Sequence, residues 1–132
     1  MSTPITLVTS PRFELLHDPS CACLYATWRG RHEPTITRTG YELIGHFTHL
    51  TRTTKLLNDS LLDEDGWHEL TTWLAHKGFQ QLADAGLLTV AWVLPRNLEA
   101  LRDTQHLLHA MQLPTVDTFW DAEAAYTWLH RW

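Results

Sequence analysis

The run LLTVAWVL, residues 87–94, is apolar at every position except Thr89. A strand with one wet face alternates polar and apolar residues. A strand without that alternation belongs at the centre of a sheet covered on both sides. Pro95 stops the run. On either side the spacing changes to that of a helix. Before it, Trp67, Leu70 and Leu74 mark an inner face with Trp73 beside them, and Gly86 follows the last turn at Ala85. After it, Asn97 is placed to cap a helix over residues 97–112 whose stripe is Leu98, Leu101, Leu108 and Met111. A central strand between two helices is the kernel of a layered α/β fold. A chain of 132 residues has length for one such domain with a real core.

The remaining segments extend this kernel. Residues 1–11 hold Pro4 and Pro11 and read as an irregular lead-in, with a short extended piece at 5–8. Residues 12–17 and 21–29 read as two strands of a hairpin around the turn signal Asp18-Pro19-Ser20. Pro34 suits the first turn of a helix over 35–51, with Ile36, Leu43, Ile44, Phe47 and Leu50 as its stripe. Gly40 and Gly45 weaken that helix, so packing has to compensate. Residues 55–57 fit a short buried strand ending near Leu57. Asp63 or Asp65 is placed to cap a helix that starts near Gly66, and Gly78 marks a kink or segment end within it. A last strand spans 116–120. Asp121 caps a final helix with Ala125, Trp128 and Leu129 inward. The expected architecture is α/β: a mixed sheet of about five strands, the first antiparallel and the rest parallel, with about four helices.

Composition removes several classes of function. Net charge is −5, and the densest basic group is only Arg29, Arg31 and His32, so nucleic-acid binding is not expected. Residues 1–12 lack a signal-peptide pattern, and the apolar runs are too short to cross a bilayer, so the expected location is the cytoplasm without a transmembrane segment. Cys21 and Cys23 share a strand face and read as buried thiols, since C-x-C supplies only half of a zinc site. His46/His49 and His106/His109 have helical spacing but no third ligand in sequence, so no metal and no cofactor is expected. No nucleophile motif or phosphate-binding glycine loop is present.

The order of elements, together with YATWRG, KLLNDS, AGLLTVAWVLP and FWDAEAAYTWL, resembles the STAS family, and within it the small bacterial proteins also grouped with CRAL-TRIO lipid-exchange domains. The likeness covers residues 12–132, and residues 1–132 read as one STAS-like domain. It implies a fold rather than a reaction. STAS regulators that antagonise anti-sigma factors carry a phosphorylatable serine at the start of the helix after the third strand. Here that region reads LLDEDGW, with Asp63, Glu64 and Asp65. Ser60 is therefore not expected to act as a kinase switch, because acidic neighbours repel an added phosphate.

In open α/β sheets ligands bind outside the carboxyl ends of the strands. The residues expected there are Trp28 and Arg29, Asn58, Asp59 and Ser60, Arg96 and Asn97, with Trp120 and Asp121 after the last strand. They supply a carboxylate, an amide, a hydroxyl, two guanidinium groups and indole walls. The same residue types also serve as ordinary turn chemistry at strand ends. Two functions fit the set. One is a non-enzymatic binding or regulatory domain for a small anionic, amphipathic or lipid-like ligand, or for a protein partner, including a second copy of the chain. The other is a small enzyme with Asp59 as base and Arg29 or Arg96 as anion clamp. Of the seven tryptophans, Trp67, Trp128 and Trp132 are the ones expected to be exposed.

Overall fold

The computed structural model describes residues 3–31, 33–64, 68–112 and 114–131. Six strands form one sheet: β1 (Ile5–Thr9), β2 (Phe13–Asp18), β3 (Cys23–Gly30), β4 (Lys55–Asp63), β5 (Thr89–Val93) and β6 (Thr115–Phe119). Their order across the sheet is their order in the chain. β2 is antiparallel to both its neighbours, β1 and β3, and β3 to β6 are parallel. The expected fold class holds, and the sixth strand comes from the lead-in. Its extended piece pairs with β2 as an edge strand, with Ile5 opposite His17.

Helix α1 (Pro34–Thr51) joins β3 to β4. A helical segment joins β4 to β5: a 3-10 turn (His68–Leu70), α2 (Thr71–Trp73), a π-helical turn (Leu74–Gly78) and α3 (Phe79–Asp84). Helix α4 (Leu98–Ala110) joins β5 to β6. Successive right-handed crossovers that always move the same way across a sheet place their helices on one face. The main core shows this, since Tyr41 and Ile44 of α1, Leu74, Phe79 and Leu82, and Ala100 and Leu107 of α4 all pack on Leu15, Leu24, Leu56, Val90 and Trp92.

Two helices are rotated from their expected faces. In α1 the buried residues are Thr37, Gly40, Tyr41, Ile44 and Thr48, while Ile36 and Leu50 are exposed. Thr48 can be buried because its Oγ1 donates to the Ile44 carbonyl at 2.7 Å. In α4, Ala100, Thr104 and Leu107 are inside and Leu98 is outside, with Thr104 bonded to the Ala100 carbonyl at 2.8 Å. The segment around Gly78 stays helical and widens instead of ending. Asp63 is the last residue of β4 and is buried there. Asp65, Gly66 and Trp67 lie outside the described residues, as do His32 and Trp132. The caps on Asn97 and Asp121 are as expected: their side chains accept from Ala100 N–H at 3.0 Å and Ala124 N–H at 2.8 Å.

Among the described residues, helix α5 (Ala122–Leu129) is the one helix on the other face, where Ala125 and Leu129 pack on Cys21, Cys23, Leu57, Ala91 and Val93. Both cysteines are free and buried, and burial pushes the Cys23 thiol well up. Polar bonds fasten α5 to the β2–β3 turn. Tyr126 Oη donates to Asp18, which also accepts from Ser20 N–H at 3.0 Å and Ser20 Oγ at 2.6 Å. Lys55 Nζ reaches the carbonyls of Cys21 at 3.1 Å and Leu129 at 2.9 Å. Burial pushes the Asp18 carboxyl up, but the bonds from Ser20 and Tyr126 outweigh it and hold the group below its ordinary 3.8. A depressed carboxyl contributes stability that is present above the unfolded value and is lost as pH falls through the folded one. The stability gap between the wild type and Asp18→Asn should be constant from about pH 7 to pH 5 and close below about pH 4. Urea unfolding across that range checks this, and a gap unchanged at acid pH would contradict it.

Candidate functional site

The segment Asn58-Asp59-Ser60 is not a strand end. Strand β4 continues to Asp63, so these residues lie within the sheet, with Asn58 paired to Ala26 and Trp92, and Asp59 to Thr27 and Val93. Alternation therefore sends them to opposite faces. Asn58 and Ser60 follow Leu56 onto the face covered by α1 to α4, and both are fully buried. Asp59 follows Leu57 onto the α5 face and is half-buried.

The buried pair is consumed by two indoles and a phenol. Trp28 Nε1 donates to Asn58 Oδ1 at 2.8 Å, and Asn58 Nδ2 donates to the Tyr41 hydroxyl oxygen at 3.2 Å. Trp92 Nε1 donates to Ser60 Oγ at 3.1 Å. Burying a large aromatic with a polar atom requires such a partner. Burial also pushes the Tyr41 hydroxyl well above its ordinary value. Trp28 belongs to β3 and to the core, its ring held between Phe13 at 4.4 Å and Tyr41 at 4.8 Å. Of the seven expected ligand residues, Asn58, Ser60 and Trp28 are thus structural. Burial also keeps the Ser60 hydroxyl from a kinase, independently of charge.

Asp59 is engaged by near neighbours. Its Oδ2 accepts from Tyr25 Oη at 3.1 Å and its Oδ1 from Leu61 N–H at 3.1 Å. Burial, followed by the Asp59 charge, pushes the Tyr25 phenol far up, so it stays a neutral donor. A register shift between Thr27 and Arg29 opposite β4 follows, pairing Arg29 with Leu62. A bulge of this kind re-aims the side chains beyond it. Leu62 now follows Arg29 on the α5 side and is 53% exposed.

The carboxyl edge itself divides into two halves. At the β5–β6 half, Arg96 N–H donates to the Leu61 carbonyl at 3.2 Å and Leu94 N–H to the Phe119 carbonyl at 2.9 Å. These bonds hold the β5–α4 turn between the ends of β4 and β6. Arg96 and Asn97 are exposed there, with Asn97 spent as a cap. Leu98 is 75% and Trp120 67% exposed. Among the described tryptophans Trp120 is the exposed one, and it was not among those expected to be. Trp128 is half-buried against Phe119 at 5.4 Å. At the β2–β3 half, Arg12, Arg29 and Arg31 line a niche of about 10 Å³ with Phe13, Trp28, Glu33, Ile36 and Thr37. Larger open hollows lie elsewhere. One, of about 560 Å³, sits at the amino edge between His49, Arg52 and Gly86.

Among the described residues, no group of three or more His, Cys, Asp and Glu is placed to hold a metal, and no helix is long and apolar enough to cross a membrane. No family model, curated protein or solved structure matches the chain.

Proposed function

We propose that this chain is a non-enzymatic, STAS-like binding or regulatory domain that docks a protein partner on the β5–β6 half of the carboxyl edge. The observation that supports this reading is the exposure of large apolar side chains at the carboxyl edge: Leu98 at the start of α4 and Trp120 after β6, with Leu62 near the end of β4. Scattered exposed apolar residues are ordinary, whereas a group containing tryptophan is what protein contacts are built around. Glu64, Glu99, Asp121 and Glu123 lie within three positions of these residues in the sequence, with Arg96 two before Leu98, so a partner that is apolar with a basic rim is the complementary one. The enzymatic alternative, Asp59 as base with Arg29 or Arg96 as clamp, has less support. Both Asp59 oxygens already accept local hydrogen bonds.

A photo-crosslinking residue placed at position 98 or 120, in cells of the native host, tests the reading. The same discrete protein adduct is expected from both positions and none from position 80, which is exposed on α3. Trp120→Ala should abolish the adduct formed from position 98. Absence of a shared adduct, or indifference to Trp120→Ala, would overturn the proposal.

A further inference from the structure

Helix α1 packs on two of its sides. Tyr41 and Ile44 are buried against the sheet. Gly45 and Arg38 face the next helical segment: a Cβ at position 45 would lie 3.3 Å from Leu82, and the Arg38 guanidinium sits 4.7 Å over the Trp73 ring. On the side opposite Gly45 and Arg38 lie Ile36, Leu43, Phe47 and Leu50, which fall within about 60° of one another at 3.6 residues per turn. Ile36 is 50% and Leu50 64% exposed, while Leu43 and Phe47 are half-buried at the rim of the main core. Apart from Ile44, this is the stripe that sequence patterning assigns to the inside. The topology explains why it is not there. The helices follow the order of the strands, so α1 is the first of its layer and has helical neighbours on one side only among the described residues.

We propose that this flank docks on the same flank of a second copy of the chain, the two α1 helices packing antiparallel about a two-fold axis beside Leu43. A two-fold contact requires a surface complementary to itself. The stripe meets that requirement in spacing and in charge. Ile36 and Leu50 each stand seven residues from Leu43, so the axis sets Ile36 of each copy against Leu50 of the other, along about 21 Å of helix. Phe47 then comes level with the smaller Thr39, whose hydroxyl already donates to the Thr35 carbonyl at 3.0 Å. No charged residue belongs to the stripe, and Arg38 and Glu42 pair with each other at 3.7 Å away from it, so no charge meets its own image. Antiparallel helices also set their macrodipoles in opposition, which is favourable. The apolar residues of the carboxyl edge lack this neutrality, since Asp121 and Glu123 follow Trp120 directly in the sequence. The α1 contact leaves that edge uncovered and stands or falls independently of the protein-docking reading.

Sedimentation equilibrium of the whole chain tests the contact. A reversible dimer is expected. Leu50→Lys and Ile36→Glu each alter an exposed position, with a charge of the sign that its end of the helix favours. Each should raise the dissociation constant about tenfold or more, because the symmetry strands the new charge in an apolar seam twice. An equimolar mixture of the two variants should regain a heterodimer, since the introduced carboxylate of one then meets the introduced ammonium of the other. Leu98→Lys, 75% exposed on α4, should leave the dimer unchanged. A wild type that stays monomeric at about 100 µM, a concentration at which mass action populates even weak dimers, would overturn the second copy as the occupant. A dimer indifferent to both α1 variants, one broken by Leu98→Lys, or a mixture that does not associate would overturn the antiparallel α1 contact.

Discussion

Asn58→Ala is expected to cost about 3 kcal/mol of folding stability, and Asp59→Ala about 1 kcal/mol or less. The two residues are adjacent, and both are polar. Their difference is in what is left behind. Asn58 is fully buried, and its amide joins Trp28 and Tyr41. Its removal strips two buried polar groups of that partner and opens a space among aromatic rings, and the two costs add. Asp59 is half-buried, so the Tyr25 hydroxyl and Leu61 N–H that it serves can turn to water. Urea unfolding of both variants measures the difference. Equal losses would show that Asn58 is not the bridge described here.

Gly40→Ala should destabilise by about 2 kcal/mol even though alanine is the better helix former. A Cβ at position 40 would lie 2.5 Å from Trp28 Cη2 and 2.9 Å from its Cζ3. Trp28 cannot yield, because Phe13 and Tyr41 hold its faces and Asn58 holds its nitrogen. Gly45→Ala, on the same helix, provides the contrast. Its nearest neighbour is the end of the Leu82 side chain at 3.3 Å, which can shift by a few tenths of an ångström. There the gain in helix propensity should prevail, for a change between zero and about 1 kcal/mol of stabilisation. A stabilising Gly40→Ala would mean that the tryptophan slot is looser than its distances indicate. Gly40 is thus a packing residue: helix α1 gives up propensity at this point to let an indole approach its backbone.

Sequence patterning found the layers, the order of helices and strands, and the caps at Asn97 and Asp121, because each depends on neighbours within a few residues. It failed where a partner is distant in the chain. Asn58-Asp59-Ser60 has the composition of a turn, and the two indoles that make Asn58 and Ser60 acceptable inside a sheet lie 30 and 32 positions away. A signal was present nonetheless. Leu56, Asn58 and Ser60 alternate with Leu57, Asp59 and Leu61, a strand period, and two core tryptophans each required an acceptor. The inner faces of α1 and α4 were misread for a related reason. Thr37, Thr48 and Thr104 were counted as polar, although Thr48 and Thr104 satisfy their hydroxyls within their own helices. Trp120 was placed at the carboxyl edge but not among the tryptophans expected to be exposed, because hydrophobicity alone does not show how far a strand end runs past its covering helix.

A sheet whose spatial order repeats its chain order can be assembled as it is synthesised. Each strand that emerges meets the one already in place, so nearly every layer forms without waiting for a distant segment. Helix α5 is the exception. The bond between Tyr126 and Asp18 closes 108 positions of chain, and no part of it can form until the last strand has been laid down. Until then Cys21, Cys23 and Leu57 remain uncovered on the far face. Helix α5, eight residues that follow β6, therefore works as a latch: it closes over strands already paired, and its hold is expected to govern how fast the domain comes apart more than how fast the sheet is made.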